Sequence, residues 1–174
     1  GFRIPTEHLV KFKNTASEHI LKRYMNGKEL MQNKKDRYVI DTLNLSKDDI
    51  RILYPEAFQH LYDHVKPERE QNRDAKFRKH WWMYGRPRSD LRELMQSSER
   101  YIATCRTAKH RVFVFLDSDV IPDAKIIAIG LEDAFYIGTL SSRLHVVWAL
   151  HTGGWVGVGN DSNYNHSECF AKFP

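Results

Sequence analysis

The residues best suited to chemistry in this chain lie between Thr104 and Arg111, at a predicted turn between two strands. Guanidinium and ammonium groups donate hydrogen bonds to guanine edges, and a two-stranded ribbon is narrow enough for the major groove of DNA. The segment therefore predicts a base-reading hairpin, although an ordinary polar turn is an equally good interpretation of these residues alone. The candidate base-reading residues are Thr104, Arg106, Thr107, Lys109, His110 and Arg111.

A longer basic region with interleaved aromatic residues precedes this hairpin. Lysine and arginine contact nucleic-acid phosphates, whereas aromatic rings stack on unpaired bases or pack in a core. Core packing is favoured for Trp81 and Trp82, because tryptophans usually bury most of their surface. A merely solvated face is the alternative for the basic set. The candidate phosphate-binding residues are Lys66, Arg69, Arg73, Lys76, Arg78, Lys79, Arg86 and Arg88.

Asp117 and Asp119 follow an apolar strand, which is the position where many glycosyltransferases hold a divalent metal. Those enzymes need a nucleotide-binding α/β half before the motif, and a basic helical region stands there instead. The histidines and cysteines have no spacing typical of a metal site, and no Ser/His/Asp order stands out. We therefore predict no catalytic centre and no metal site within these residues.

The elements that must position these side chains follow from hydrophobic periodicity and from capping signals. Ser46 and Asp49 form a capping box, and Pro55 restarts the helix that follows. The predicted strands cover 37–41, 101–106, 111–116 and 125–131, the predicted helices 17–24, 46–65, 89–96 and 133–151, and the predicted irregular tail 153–174. This order predicts an α+β fold with a curved, mostly antiparallel sheet packed with helices. A glycine-rich phosphate loop is not found at a strand end, so Rossmann-type binding is not expected.

Composition limits the class of protein further. The 174 residues are 41% hydrophobic, which suits one compact domain, and the net charge is +5 at pH 7. Basic residues dominate the middle of the chain and acidic residues its last third, so the charge pattern favours a localised anionic partner. We expect a cytoplasmic protein with reduced cysteines, because the sequence has neither a membrane-length apolar run nor a signal-peptide pattern. The start at Gly1 without an initiator methionine suggests a fragment of a longer protein.

Longer motifs resemble one family along nearly the whole chain. They look like the target-recognition domain of MmeI-like (type IIL) restriction-modification DNA methyltransferases. The motifs are RYMNGKEL, RYVIDTLNLS, YPEAFQHLYDHVKPERE, KHWWMYGRPR, RYIATCRTAKHRVFVF, YIGTLSSRLHVVW and GVGNDSNYNHSECFAKFP.

The resemblance implies a parent enzyme that uses S-adenosylmethionine to methylate adenine N6 within a short DNA sequence, often with a fused endonuclease. The Asn-Pro-Pro-Tyr/Phe motif and the cofactor loop of such enzymes do not occur in these residues, so this chain is expected to be non-catalytic and to bind no cofactor. The resemblance also implies that residues 1–174 are the DNA target-recognition domain. Its expected partners are double-stranded DNA and the parent's methyltransferase domain, and binding to a membrane is not expected. Two alternatives stay open, a glycosyltransferase-like enzyme using Asp117 and Asp119 and a basic protein-interaction module.

Overall fold

The computed structural model describes residues 1–32, 37–85 and 88–174. They form two compact units. Unit 1 comprises Gly1–Tyr24 and Asp36–Ser89, and unit 2 comprises Met25–Lys35 and Asp90–Pro174. Across the described residues, none of the helices has the length and apolar character that a membrane crossing requires.

Runs of helices and runs of short strands follow one another along the chain. The α-helices are α1 (Gly27–Gln32), α2 (Lys47–Leu53), α3 (Pro55–His64), α4 (Lys66–Glu70), α5 (Ala75–Lys79), α6 (Ser89–Ser97), α7 (Ala134–Ser141) and α8 (Arg143–Thr152). The strands are β1 (Arg3–Ile4), β2 (Leu21–Met25), β3 (Arg37–Ile40), β4 (Arg100–Cys105), β5 (Thr107–Ala108), β6 (Val114–Asp117), β7 (Val120–Pro122), β8 (Ile126–Ile129), β9 (Trp155–Val156) and β10 (Asp161–Asn163). Two 3₁₀ turns lie at Thr6–Lys11 and Ala16–Ile20, and a π-helical turn lies at His166–Phe170.

Unit 1 packs helices against a small antiparallel sheet in which β3 lies between β1 and β2. The predicted capping box is confirmed, because Ser46 Oγ accepts from the Asp49 amide at 3.1 Å and Asp49 Oδ2 accepts from the Ser46 amide at 3.0 Å. The helix restart at Pro55 and the packing of Trp81 are also confirmed. The buried core of unit 1 consists of Ile4, Phe12, Ile20, Ile40, Ile50, Ala57, Leu61, Val65 and Trp81.

The helix predicted over 17–24 is wrong. A 3₁₀ turn occupies Ala16–Ile20, and the chain then enters β2, where Leu21 lies opposite Ile40. Ser17 does not cap a local helix, because its hydroxyl donates to Glu56 Oε2 at 2.8 Å and accepts from the Ala57 amide at 3.1 Å. Pairing with a distant strand has overridden the local helical signal.

Unit 2 is built around β4, which pairs antiparallel with β6 on one side and with β8 on the other. The three predicted strands and the α+β class are therefore confirmed, with the strands divided among small separate sheets. The single helix predicted over 133–151 is two helices, because Ser142 leaves the helical conformation at ψ 150°. Its hydroxyl accepts from the His145 amide at 3.2 Å and so begins α8.

The sequence analysis predicted an irregular tail over 153–174, and this prediction is wrong. It forms β9, β10 and the π-helical turn, and β10 pairs with β9 on one side and with β5 on the other. Gly157 and Gly159, in the turn from β9 to β10, have φ values of 70° and 85°, a backbone region that glycine enters at little cost. This third sheet holds the predicted base-reading hairpin.

Candidate nucleic-acid interface

Arg111 braces the predicted base-reading hairpin from within unit 2. Its Nη1 donates to Thr104 Oγ1 at 3.1 Å and to the Cys105 carbonyl oxygen. Its Nη2 donates to the carbonyl oxygen and to the hydroxyl of Ser162, both at 3.0 Å. The guanidinium therefore ties the end of β4 to β10.

Burial of this brace has an electrostatic consequence. Loss of solvent around Arg111 lowers the pKa of its guanidinium from the usual value. The charge is compensated by its four oxygen acceptors and by the ring of Tyr164, whose centroid lies 5.1 Å from Cζ. A partly buried guanidinium with these partners is a structural element of the fold.

Two of the six predicted base-reading residues are thus directed inward. Thr104 is 0% exposed, and its hydroxyl donates to the Val112 carbonyl oxygen at 2.8 Å. Arg111 is committed to Thr104, Cys105 and Ser162. The expectation that Thr104 contacts a base edge is corrected, because its side chain is fully buried and its hydroxyl is already bonded inside the protein. Arg111 is partly exposed, and the bonds of both its Nη atoms to protein oxygens argue against a base contact.

The other four predicted residues, Arg106, Thr107, Lys109 and His110, are all exposed. The main chain beneath them is fixed, since the Arg106 amide donates to the Lys125 carbonyl at 2.7 Å and the Arg106 carbonyl accepts from the Tyr164 amide at 2.7 Å. The segment 106–110 therefore has a held backbone and outward side chains.

The neighbouring strand β10 adds polar side chains that the sequence analysis missed. Asn163 lies directly opposite Thr107, and Ser162 lies opposite Ala108. Side chains alternate between the two faces of a strand, so Asp161 and Asn163 share a face with Thr107, while Ser162, 2% exposed, faces inward. The sequence carried no clear strand signal there, because Asp161, Ser162 and Asn163 are all polar and the surrounding glycines and asparagines are typical of loops.

A cleft of about 680 Å³ opens beside this segment within unit 2. Residues 105–110 form one part of its lining, and Gly27, Lys28, Met31 and Lys125 form the rest. Gly27 packs closely against Cys105, because a Cβ added at Gly27 would lie only 3.3 Å from Cys105 Sγ. The Cys105 thiol is buried and donates to the Gly27 carbonyl at 3.2 Å.

The predicted phosphate-binding residues belong to unit 1, where they follow α3. Arg73, Lys76 and Lys79 are exposed, and the Lys76 amide donates to Asp74 Oδ1 at 2.8 Å, which caps α5. Arg88 is exposed as well. Arg86 lies outside the described residues.

The remaining three members of that basic set have partners in unit 1. Lys66 Nζ lies 3.6 Å from Glu70 Oε1 and 4.1 Å from the centroid of the Tyr62 ring. Arg69 lies over the ring of Phe77, with Cζ 4.5 Å from its centroid. Arg78 Nη1 donates to the carbonyl oxygens of residues 72 and 73 at 2.7 and 2.9 Å, so its guanidinium helps to end the preceding turn.

Asp117 and Asp119 are both exposed; Asp117 is the last residue of β6, and Asp119 lies in the connection from β6 to β7. Asp117 stands opposite Arg100 in the antiparallel pair of β4 and β6. A group of three His, Cys, Asp or Glu side chains that could hold a metal ion is not found in the part of the chain that the structure describes. The glycosyltransferase alternative therefore receives no further ligand from the described fold.

Comparison with known proteins places this geometry in a family. The family model described as "MmeI, target recognition domain" matches residues 4–174. The fold is similar to part of the solved Type IIL restriction-modification enzyme MmeI in complex with DNA, with a TM-score of 0.78 and 19% identity over 99% of this chain and 23% of that chain. The chain thus spans about a quarter of that enzyme's length, and it matches none of the curated proteins. The chain belongs to the MmeI target recognition domain family.

Proposed function

We propose that this chain reads DNA sequence for a restriction-modification DNA methyltransferase and that residues 1–174 act as one recognition domain. Family membership over residues 4–174 supports this assignment. The exposed polar side chains of segment 106–110, held above a braced backbone, supply a surface that suits base edges. The chain itself carries no chemistry in this proposal.

The observation that carries the proposal is the pairing of Thr107 with Asn163 on the outer face of the β5–β10 ladder. Arg106 and Lys109 can each donate two hydrogen bonds to a guanine, and the Asn163 amide can both donate to and accept from an adenine. Thr104 and Arg111 are left out of the base-reading set because their polar atoms are bonded internally. The proposed base-reading residues are Arg106, Thr107, Lys109, His110, Asp161 and Asn163.

Phosphate contacts are proposed for the exposed cations of unit 1, mainly Arg73, Lys76 and Lys79, and also Arg88. Lys66, Arg69 and Arg78 add positive charge from partnered positions. Phosphate contacts supply affinity and fix register, whereas contacts to base edges select the sequence. The two sets of residues thus have separable roles.

The mechanism is positioning. The domain holds duplex DNA in one register. A methyltransferase domain elsewhere in the parent can then flip the target adenine out of the helix into its own active-site pocket, where N6 is methylated. S-adenosylmethionine is assigned to that other domain. The parent is proposed to act in the cytoplasm, where a DNA-modifying enzyme meets its substrate.

Selection from a library of randomised DNA duplexes tests this function on the full chain. We expect enrichment of one short sequence motif, with binding that weakens steeply as salt concentration rises. A basic protein-interaction module would enrich no motif. A library that stays random after selection, at any salt concentration, contradicts the proposal.

A further inference from the structure

The cleft beside segment 106–110 is lined by an excess of positively charged side chains. Its lining contains Lys28, Arg106, Lys109 and Lys125, together with the imidazole of His110. Among the described residues, the lining contains neither Asp nor Glu. A cleft lined by positive charges attracts an anionic ligand more strongly than the same charges on a flat surface.

The acidic residues nearest in sequence are turned to the protein's own backbone. Glu29 is 4% exposed, and its Oε2 accepts from the Asn26 amide at 3.2 Å. Asp123 Oδ1 accepts from the Lys125 amide at 2.7 Å, an interaction that shapes the turn before β8. These carboxylates serve local turns and do not line the cleft.

Lys28 and Lys125 come from separate chain segments that the fold brings to one wall. The Gly27 carbonyl accepts from the Cys105 thiol at 3.2 Å, and the Lys125 carbonyl accepts from the Arg106 amide at 2.7 Å. These two hydrogen bonds therefore hold the main chain at Gly27–Lys28 and at Lys125 next to the start of the base-reading segment. Both lysines are exposed, and neither has an ion-pair partner among the residues that the structure describes.

We propose that Lys28 and Lys125 hold the phosphodiester backbone of duplex DNA in this cleft while segment 106–110 and Asn163 address the bases. This inference rests on the proposed function and deepens it, because it names positioning residues within unit 2. Lysine suits this role, since its ammonium binds phosphate as a point charge and needs no planar geometry. The sequence analysis assigned neither residue to DNA.

The cleft cations differ from the basic set of unit 1 in how much of their charge is neutralised. In unit 1, Lys66 Nζ lies 3.6 Å from Glu70 Oε1, and Arg78 Nη1 donates to two backbone carbonyl oxygens. In the cleft, Lys28 and Lys125 keep their charge for an outside partner. A phosphate held there fixes the register of the DNA at the base-reading surface itself.

The test measures binding of the full chain to a 30-base-pair duplex carrying the motif that the wild-type chain selects, and to a scrambled duplex. The variant is K28Q/K125Q. The control is R143Q/K172Q, which also removes two positive charges from exposed positions of unit 2 outside the cleft, although Lys172, unlike the cleft lysines, lies 2.7 Å from Glu168 Oε2. A second variant, K28R/K125R, keeps the charges and changes only the head groups.

We expect K28Q/K125Q to reduce the slope of log affinity against log salt by about 2, or about one for each lost phosphate contact, on both duplexes. The selected motif should stay unchanged, and the control and the arginine variant should keep the wild-type slope. An unchanged slope in K28Q/K125Q, or an equal loss in R143Q/K172Q, overturns the inference while leaving the proposed function intact. Absence of any selected motif in the wild-type chain would instead refute the proposed function.

Discussion

Arg111 donates through Nη2 to both the carbonyl oxygen and the hydroxyl of Ser162, at 3.0 Å each, across 51 residues of sequence. This contact joins the hairpin after β4 to β10, two segments that the sequence does not visibly connect. Because Ser162 lies between Asp161 and Asn163, the same contact helps to fix the position of β10 and therefore of those two side chains on its outer face. The partly buried Arg111 thus helps to fix where the partly exposed side chains of Asp161 and Asn163 are presented.

Removing this brace should destabilise the protein. Arg111→Met leaves the oxygens of Ser162 and Thr104 without their donor, and unsatisfied buried acceptors cost about 1–3 kcal/mol each. We expect a loss of about 3 kcal/mol in the free energy of unfolding, measured by urea denaturation. Arg111→Lys should recover little of it, because an ammonium cannot reproduce the guanidinium fork.

Arg106→Met is the matched control for this loss, because Arg106 is exposed and close in sequence. Its substitution should change the free energy of unfolding by less than about 0.5 kcal/mol. If Arg111→Met unfolds at the same urea concentration as Arg106→Met, Arg111 is not the structural brace described here.

The proposed phosphate role of unit 1 can be tested by charge removal. The triple variant R73Q/K76Q/K79Q should weaken binding to every duplex sequence to a similar degree and reduce the salt slope by about 3. The measurement is fluorescence anisotropy over a range of salt concentrations. The control K11Q/K13Q/K22Q removes three exposed charges from the same unit. Equal slopes for the two triple variants would show that the basic region is only a solvated surface.

A pH dependence follows from His145, which is 0% exposed and whose Nε2 lies 3.0 Å from the Tyr164 hydroxyl. Burial, and secondarily the charge of Arg111, lower the pKa of His145 below the usual 6.5 in the folded protein. The unfolded chain therefore takes up a proton first, so the stability due to neutral His145 is complete above about pH 6.5 and is lost as the pH falls below it.

Urea denaturation between pH 8 and pH 5 measures this effect. The lowered pKa of His60, caused mainly by its burial, contributes a loss of the same sign in unit 1, so H60Q serves as the comparison. We expect H145Q and H60Q each to flatten the decline toward acid pH. A decline identical to wild type in H145Q would mean that its folded-state pKa is not lowered.

The cofactor assignment gives a further prediction. The full 174-residue chain should bind no S-adenosylmethionine in isothermal titration calorimetry and should transfer no methyl group to DNA, because its sequence lacks the cofactor loop and the Asn-Pro-Pro motif. Saturable binding of the cofactor would contradict its assignment to another domain of the parent.

Local signals in the sequence were sufficient for one part of the fold. The capping box at Ser46 and the apolar runs that form β4, β6 and β8 predicted their elements because each pattern is complete within a few residues. β2 and β10 were missed since each is stabilised by a strand far along the chain, as Leu21 by Ile40 and Asn163 by Thr107. Tertiary pairing overrides local propensity at such positions.

The same distinction separates the candidate site residues. Residue type alone placed Arg106 and Arg111 in one class, yet Arg106 faces solvent and Arg111 is enclosed by oxygen acceptors. Lys28 lies far from the hairpin in sequence, so no spacing rule could assign it to the cleft that it lines. Burial and long-range proximity, which the sequence does not encode locally, decided these roles.

The most direct measurement of the central claim is genome-wide mapping of methylated sites for the proposed parent methyltransferase carrying Arg106→Ala, Lys109→Ala or Asn163→Ala. Loss of a contact to a base edge costs about 1–3 kcal/mol of discrimination at one position, whereas loss of a phosphate contact weakens all sites alike. We expect each substitution to relax or change one position of the recognised sequence while the methylated adenine stays in place. A uniform fall in methylation with an unchanged sequence would contradict the account, because these side chains would then only position the DNA.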